Sequence, residues 1–106
     1  MDSKTQALFE ARARIIKALA HPTRLYIVDL LSGGERCVQV IAGKVDADLS
    51  TVSKHLSVLK NAGIVKDEKK GQRVYYKLRV PCVLNFFSCV ESVMASSLKE
   101  QAELLK

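Results

Sequence analysis

The sequence predicts a mainly α-helical fold with one β-hairpin, a winged helix-turn-helix. Apolar residues recur at helical spacing along most of the chain, and the period changes to that of β-strands only once, between Ile64 and Val80. The helix predicted before this hairpin starts with small polar residues, and the hairpin is rich in lysine and arginine. With 106 residues and 48% hydrophobic content, the chain fits one compact domain over residues 1–106.

Two helices are predicted in the N-terminal third of the chain. The apolar residues of Ser3–Leu19 have helical spacing, and Ser3 with Gln6 matches a capping box at the start of this first helix. Proline suits the first turn of a helix, so we expect the second helix to run over Pro22–Leu31 and to stop at the glycine pair 33–34.

The next two helices are predicted to form the helix-turn-helix. A short third helix covers about residues 35–45, and a fourth begins at Asp48 or Ser50, because both side chains are good N-caps. Gly63 is expected to end the fourth helix in the left-handed conformation. One face of the fourth helix is predicted to be apolar and carries Leu49, Val52, Leu56 and Leu59.

The hairpin and a last helix complete the predicted fold. Residues 64–67 and 72–80 are predicted as two strands, joined by residues 68–71 as a basic tip. After Pro81 the helical period returns until about Leu98, with Asn85 as a credible N-cap. This helix has an apolar face that a domain of this size cannot cover alone, which predicts a homodimer built on the first and last helices. That face carries Phe86, Val90, Val93 and Met94.

Basic charge is concentrated in the middle of the chain. The net charge is +6 with a pI of about 9.4, and residues 36–80 hold ten Lys or Arg against four Asp or Glu. Such a basic surface favours a polyanionic partner. The sequence shows no catalytic triad order, carboxylate pair or glycine-rich phosphate loop, which argues against an enzyme. It shows neither a membrane span nor a secretory signal, so we expect no membrane partner and a cytoplasmic location.

The fourth helix and the hairpin are predicted to contact double-stranded DNA. A recognition helix enters the major groove with its N-terminal residues, where polar side chains reach phosphates or base edges. Long cationic side chains on a wing straddle the neighbouring phosphate backbone. The predicted contacts are Ser50, Thr51, Ser53, Lys54 and His55 on the helix and Lys69, Lys70, Gln72 and Arg73 on the hairpin. The alternatives are a solvated charged face, a packing role for His55, and a winged helix that only contacts protein.

Three segments of the sequence resemble the ArsR/SmtB family of bacterial metal- and stress-responsive repressors. They are ALAHPTR at residues 18–24, LSTVSKHL at 49–56 and LKNAGIV at 59–65, and the resemblance spans about residues 12–95. It implies a homodimer built on the first and last helices, an operator with two-fold symmetry, and release of the operator when an inducer binds. No cofactor is required for DNA binding under this interpretation.

Three widely spaced cysteines, Cys37, Cys82 and Cys89, are the candidate sensing residues. We expect free thiols, because an odd set in a reducing compartment is unlike a disulfide framework. On one regular helix, Cys82 and Cys89 would lie roughly 10.5 Å apart along the axis, too far to share an ion. A helix start at Asn85 would let Cys82 fold back toward Cys89. Zinc-binding family members use Asp, His and Glu on their last helix, and this chain lacks that pattern, so we expect no such zinc site.

The inducer is predicted from the same resemblance. Some arsenite-sensing members of the family carry cysteines around the start of their last helix, which favours trivalent arsenic or antimony. Coordination by three thiolates, with Cys37 as the third ligand, suits such a soft ion. Oxidation or sulfane-sulfur chemistry is the alternative, because Arg36 would lower the pKa of the Cys37 thiol. A third interpretation makes each cysteine a small buried hydrophobe.

Overall fold

The computed structural model describes residues 1–105 and has the predicted order of helices, with a hairpin between the last two. The elements are α1 (Ser3–Leu19), α2 (Pro22–Leu31), β1 (Arg36–Cys37), α3 (Val38–Val45), α4 (Leu49–Asn61), β2 (Val65–Lys70), β3 (Arg73–Leu78) and α5 (Val83–Leu104). Helices α3 and α4 form the helix-turn-helix, and β2 with β3 forms the wing, which confirms the predicted fold class. Among the helices described, none is long and apolar enough to cross a membrane.

Strand β1 is the main difference from the sequence prediction. The predicted third helix included residues 35–37, but Arg36 and Cys37 pair antiparallel with Tyr76 and Tyr75 of β3. Gly34 has a φ of +120°, and this conformation lets the chain leave α2 and run beside the wing before α3 begins. The sheet order is therefore β1-β3-β2, with β3 as the central strand.

The wing has a tighter turn than the sequence predicts. Lys69 and Lys70 were expected in the connection, but both lie in β2 and pair with residues of β3. Gly71 and Gln72 join the two strands. Gly71 has a φ of +64° and Gln72 has no positive φ, which matches a two-residue type II′ turn with glycine at its first position. As strand residues, the two lysines take opposite sides of the sheet.

The hydrophobic core lies between the first four helices and the start of β2. Val52, Leu56 and Leu59 form the buried face of α4, as predicted. The prediction for Leu49 is wrong, since this first residue of the helix lies beyond the edge of the core and is 48% exposed. Gly63 has a φ of +82°, which confirms its left-handed conformation after α4. The core cluster consists of Ala18, Leu19, Ile27, Val28, Leu31, Ile41, Ala42, Val52, Leu56, Leu59, Ile64 and Val65.

The start of α1 is capped one residue earlier than predicted. Asp2 is the N-cap, and its carboxylate accepts a hydrogen bond from the backbone amide of Thr5 at 2.7 Å. This bond satisfies an amide that has no partner within the helix. Ser3 is therefore the first helical residue, and the predicted capping box between Ser3 and Gln6 does not form.

Helix α5 starts earlier and ends later than predicted. It begins at Val83 and runs to Leu104, so Asn85 lies in its first turn and the prediction of an N-cap there is wrong. Cys82 has helical backbone angles, and its carbonyl accepts a hydrogen bond from the amide of Asn85 at 3.0 Å. None of the residues of α5, all of which the structure describes, is buried.

Candidate nucleic-acid interface and thiols

The N-terminal turn of α4 presents a row of exposed polar side chains. The Asp48 carboxylate accepts hydrogen bonds from the Thr51 amide at 2.7 Å and from the Ser50 hydroxyl at 2.9 Å. These bonds lower the pKa of the Asp48 carboxyl, because they stabilise its ionised form. Ser50, Thr51, Ser53 and Lys54 are exposed, so the predicted contact surface is open to solvent.

The connection between α3 and α4 fixes the direction of the recognition helix. Asp46 closes α3 in the left-handed conformation, with a φ of 61°, which aspartate tolerates better than most residues. Ile41 of α3 and Val52 and Leu56 of α4 are fully buried in the shared core. This packing holds the exposed face of α4 in a defined orientation.

His55 differs from the other predicted contacts on α4, since its ring packs inward. The ring centroid lies 4.5 Å from that of His21, and Nδ1 lies 3.4 Å from Nη1 of Arg24. Arg24 is itself held, because its Nε donates a hydrogen bond to the carbonyl of Ala18 at 2.6 Å. Burial, followed by the charges of His21 and Arg24, lowers the pKa of His55. This placement favours the packing interpretation, and a contact of His55 with DNA stays a prediction.

Strand alternation divides the wing lysines between the two faces of the sheet. Lys69 shares a face with Asp67, whose carboxylate is 3.0 Å from Nζ of Lys60 at the end of α4. Lys69 is therefore exposed on the α4 side of the wing. Lys70 lies on the opposite face, where its Nζ is 2.6 Å from Oε1 of Glu35.

Arg73 belongs to the same group of contacts at the base of the wing as Lys70. It is the cross-strand neighbour of Lys70, and its Nη1 donates to Sγ of Cys37 at 3.7 Å. Strand β1 and the residue before it supply both partners, Glu35 and Cys37. Gln72, in the turn between the strands, is exposed. All four predicted wing contacts are exposed. They differ in that Lys70 and Arg73 have side-chain partners, whereas Lys69 and Gln72 have none among the described residues.

Some residues that shape the interface were not predicted from the sequence. Lys60 and Asp67 are 7 residues apart, on either side of the turn at Gly63. Because this turn reverses the chain between two opposite charges, the ion pair could have been predicted from the sequence. Glu35 and Lys70 are 35 residues apart, and no local pattern connects them.

The three cysteines occupy two separate parts of the structure. Cys37 is buried at the start of α3, whereas Cys82 and Cys89 are exposed at α5. Because α5 starts directly after Cys82, the expected fold-back does not form, and the two residues remain roughly 10.5 Å apart along one helix axis. Within residues 1–105, no three Cys, His, Asp or Glu side chains come close enough to hold a metal ion. The thiols of one subunit therefore do not fit a shared three-thiolate site.

Cys37 has a thiol of increased acidity. The backbone amide of Val40 is the largest cause of its lowered pKa, and Arg73 adds a hydrogen bond and a positive charge, although burial acts in the opposite direction. The sequence predicted Arg36 as the cationic neighbour of Cys37, but the cation beside the thiol is Arg73. The guanidinium of Arg36 instead donates to the carbonyl of Glu35 at 3.2 Å.

Helices α1 and α5 carry apolar side chains that a single chain leaves uncovered. Phe9 and Ile16 on α1 are 50% and 51% exposed, and Val93 and Met94 on α5 are 66% and 60% exposed. A groove of about 470 Å³ with mainly apolar walls lies between α1, α2 and α5, and Phe86 contributes to it. Apolar surface of this extent is typical of an association interface.

The fold, together with the polar and basic surface of α4 and the wing, defines a winged helix-turn-helix protein of the DNA-binding class. A family model described as bacterial regulatory protein, arsR family, matches residues 21–67. The chain is 41% identical over 64 residues to the transcriptional repressor SdpR of Bacillus subtilis. The aligned segment covers 60% of this chain and 71% of SdpR. The chain belongs to the ArsR family of bacterial transcriptional regulators.

A longer relative and a solved structure are similar over most of the chain. The HTH-type transcriptional regulator Rv0324 of Mycobacterium tuberculosis is 40% identical over 96 residues, which is 91% of this chain but 42% of that protein. The chain thus spans less than half the length of Rv0324. The solution structure of the homodimeric winged helix-turn-helix DNA-binding domain of Mb0332 from Mycobacterium bovis has a TM-score of 0.78 and 38% identity. That similarity covers 90% of this chain and 88% of the other.

Proposed function

We propose that this chain is a homodimeric repressor that binds double-stranded operator DNA with α4 and the wing. The observation that carries the proposal is the exposed polar start of α4, together with exposed Lys69 on the face of the wing where Asp67 pairs with Lys60 of α4. In a winged helix, the recognition helix enters the major groove while wing cations contact phosphates. Such a repressor acts in the cytoplasm and needs no cofactor to bind DNA. The proposed contacts are Ser50, Thr51, Ser53 and Lys54 in the groove and Lys69, Gln72 and Arg73 on the backbone.

The dimer is proposed to form through α1 and α5. A two-fold pair of subunits presents two copies of α4 to an operator with matching symmetry. The exposed apolar faces of both helices support this arrangement, as does the homodimeric state of the Mb0332 domain.

The salt dependence of DNA binding tests the interface. Lys69→Ala removes a phosphate-binding charge, so we expect weaker binding to all duplexes and a slope of log K against log salt that is smaller by about one. Ser53→Ala should weaken binding to the operator more than binding to random DNA. Lys99→Ala is the matched control, because Lys99 is exposed on α5. Fluorescence anisotropy over a salt series measures both quantities, and a wild-type protein that binds no duplex would contradict the proposal.

A second candidate function is the release of DNA by a thiol-reactive signal. The contact between Cys37 and Arg73 favours it, because a change at the sulfur would alter the position of a wing cation. Cys82 and Cys89 are accessible to reagents, whereas Cys37 is 3% exposed and reacts only after local opening. Oxidation or sulfane-sulfur addition is one proposed signal, and trivalent arsenic or antimony is the other. An ion held by three thiolates would take them from two subunits.

Single cysteine variants separate the two signals. If an ion is the inducer, Cys82→Ser and Cys89→Ser should bind the operator normally and resist release by arsenite, with an equal or smaller defect in Cys37→Ser. If oxidation at Cys37 is the signal, only Cys37→Ser should resist release by peroxide or polysulfide. Release of all three variants at the reagent concentrations that release the wild type would count against any thiol signal.

A further inference from the structure

The carboxylate of Glu35 holds Lys70, a wing lysine that the sequence predicts as a phosphate contact. The two charged atoms are 2.6 Å apart, with the Lys70 side chain 50% exposed and that of Glu35 27% exposed. The position of Glu35 follows from β1, because pairing of this strand with β3 brings the chain after α2 alongside the wing. The ammonium also lies 5.4 Å from the centre of the Tyr75 ring, which further limits where it can reach.

We propose that Glu35 competes with DNA phosphate for Lys70 and so lowers the affinity of the wing for the DNA backbone. The inference rests on the proposed DNA-binding function. A phosphate must either displace the carboxylate from the ammonium or bind with this second negative charge beside it, and both arrangements are unfavourable. Among residues 1–105, Lys69 has no such competitor on its face of the wing, because the carboxylate of Asp67 is paired with Lys60. Lys69 then carries the main phosphate contact of the wing, and Lys70 adds little until Glu35 is removed.

Glu68 provides a matched control for the charge of Glu35. It lies two residues before Lys70 in β2, on the same face of the sheet, and it raises the pKa of Lys70 only through space. Within residues 1–105, it forms no ion pair with Lys70. Glu68→Gln therefore removes one negative charge from the wing without releasing a tethered lysine.

The test is a double-mutant cycle with a random duplex over a salt series. Glu35→Gln should bind about 2- to 5-fold more tightly at low salt, and its slope of log K against log salt should be steeper by about one. Lys70→Gln should bind almost like the wild type, and the double variant should bind like Lys70→Gln, because the effect of Glu35 acts through Lys70. Glu68→Gln should change the affinity less, and its effect should persist without Lys70. Circular dichroism confirms that each variant is folded.

Three outcomes would overturn the competition. Equal effects of Glu35→Gln and Glu68→Gln, or an effect of Glu35→Gln that persists without Lys70, would indicate a general charge effect. Weaker binding by Glu35→Gln would make Glu35 a support for Lys70 instead of a competitor.

An NMR titration of the Lys70 side chain separates failure of this inference from failure of the proposed function. The hydrogen bond from Lys70 to Glu35 is the largest cause of the raised pKa of Lys70, so Glu35→Gln should bring that pKa back toward its ordinary value without any DNA. If the pKa falls but the wild type binds no duplex, the DNA-binding function fails and the competition with it. If the wild type binds DNA but the pKa does not change, only the inference fails.

Discussion

On α4, His55 packs its ring against His21 and faces Arg24, and burial is the largest cause of its lowered pKa. In the unfolded chain, the same ring takes a proton near its ordinary pKa of 6.5. Above that pH the ring is neutral in both the folded and the unfolded state, so titration of His55 does not lower the stability there. As the pH falls through 6.5 toward the lower pKa of the folded protein, the unfolded chain binds more protons and the stability decreases.

We expect His55→Gln to make thermal stability less dependent on pH. The Tm of the wild type should fall by a few degrees as the pH is lowered from about 7.5 to about 5.5, and the fall should be smaller in the variant. Asp2 and Asp48 do not contribute in this range, because their pKa values are lowered from 3.8. Ser57→Ala, an exposed change on α4, is the control. Parallel pH profiles for His55→Gln and the wild type would contradict the expectation.

Sequence periodicity predicted the buried face of α4 but not the surroundings of His55. The spacing of Val52, Leu56 and Leu59 is sufficient to identify a face, because a helix repeats every 3.6 residues. His55 directly follows exposed Lys54, yet one position on a helix turns the side chain by about 100° toward the body of the protein. Its partner Arg24 is 31 residues earlier in the chain, and a contact of that kind depends on tertiary packing alone.

At the level of whole elements, the start of α4 depends on its N-cap. We expect Asp48→Ala to lower the Tm by roughly 4 to 8 °C, because the amide of Thr51 loses its hydrogen-bond acceptor. Asp48→Asn is the matched variant, since asparagine caps helices about as well as aspartate but carries no charge. Comparison of the two separates the cap from the charge, both in thermal unfolding and in operator binding. Identical melting of the two variants would show that the cap contributes nothing.

Among the elements, β1 and the start of α5 could not be predicted from local pattern. β1 has two residues, which are too few to show a period. It forms because Arg36 and Cys37 pair with residues of β3 about 40 positions further along the chain. The hairpin was predicted because its two strands are adjacent in sequence and Gly71 marks the turn. Asn85 was a reasonable cap by residue type, but Cys82 already has helical angles, and the helix forms without a side-chain cap. This difference removed the predicted approach of the two α5 thiols.

For the molecule as a whole, α5 is a 22-residue helix without a buried residue in the described chain. Helices in proteins gain most of their stability from packing of an apolar face, and α5 has such a face without an intramolecular partner large enough to cover it. The exposed apolar side chains of α1 lie on the neighbouring helix that forms the other wall of the groove. Burial of both surfaces against a second subunit explains why so small a chain keeps them apolar.

We expect the wild type to sediment as a dimer at micromolar concentration and Val93→Glu or Met94→Glu to sediment as a monomer. Each change would place an unpaired carboxylate in the apolar contact, which should weaken association at least about tenfold. Ser92→Glu is the control, because it adds the same charge about 100° or more around α5 from each residue of the apolar face. Circular dichroism should show that all variants are folded, since α5 contributes no buried residue to the core.

The monomeric variants should also lose most of their operator affinity, because a single α4 reads only half of a symmetric site. A wild-type monomer at these concentrations, or dimeric glutamate variants with normal operator binding, would mean that α5 is not the interface.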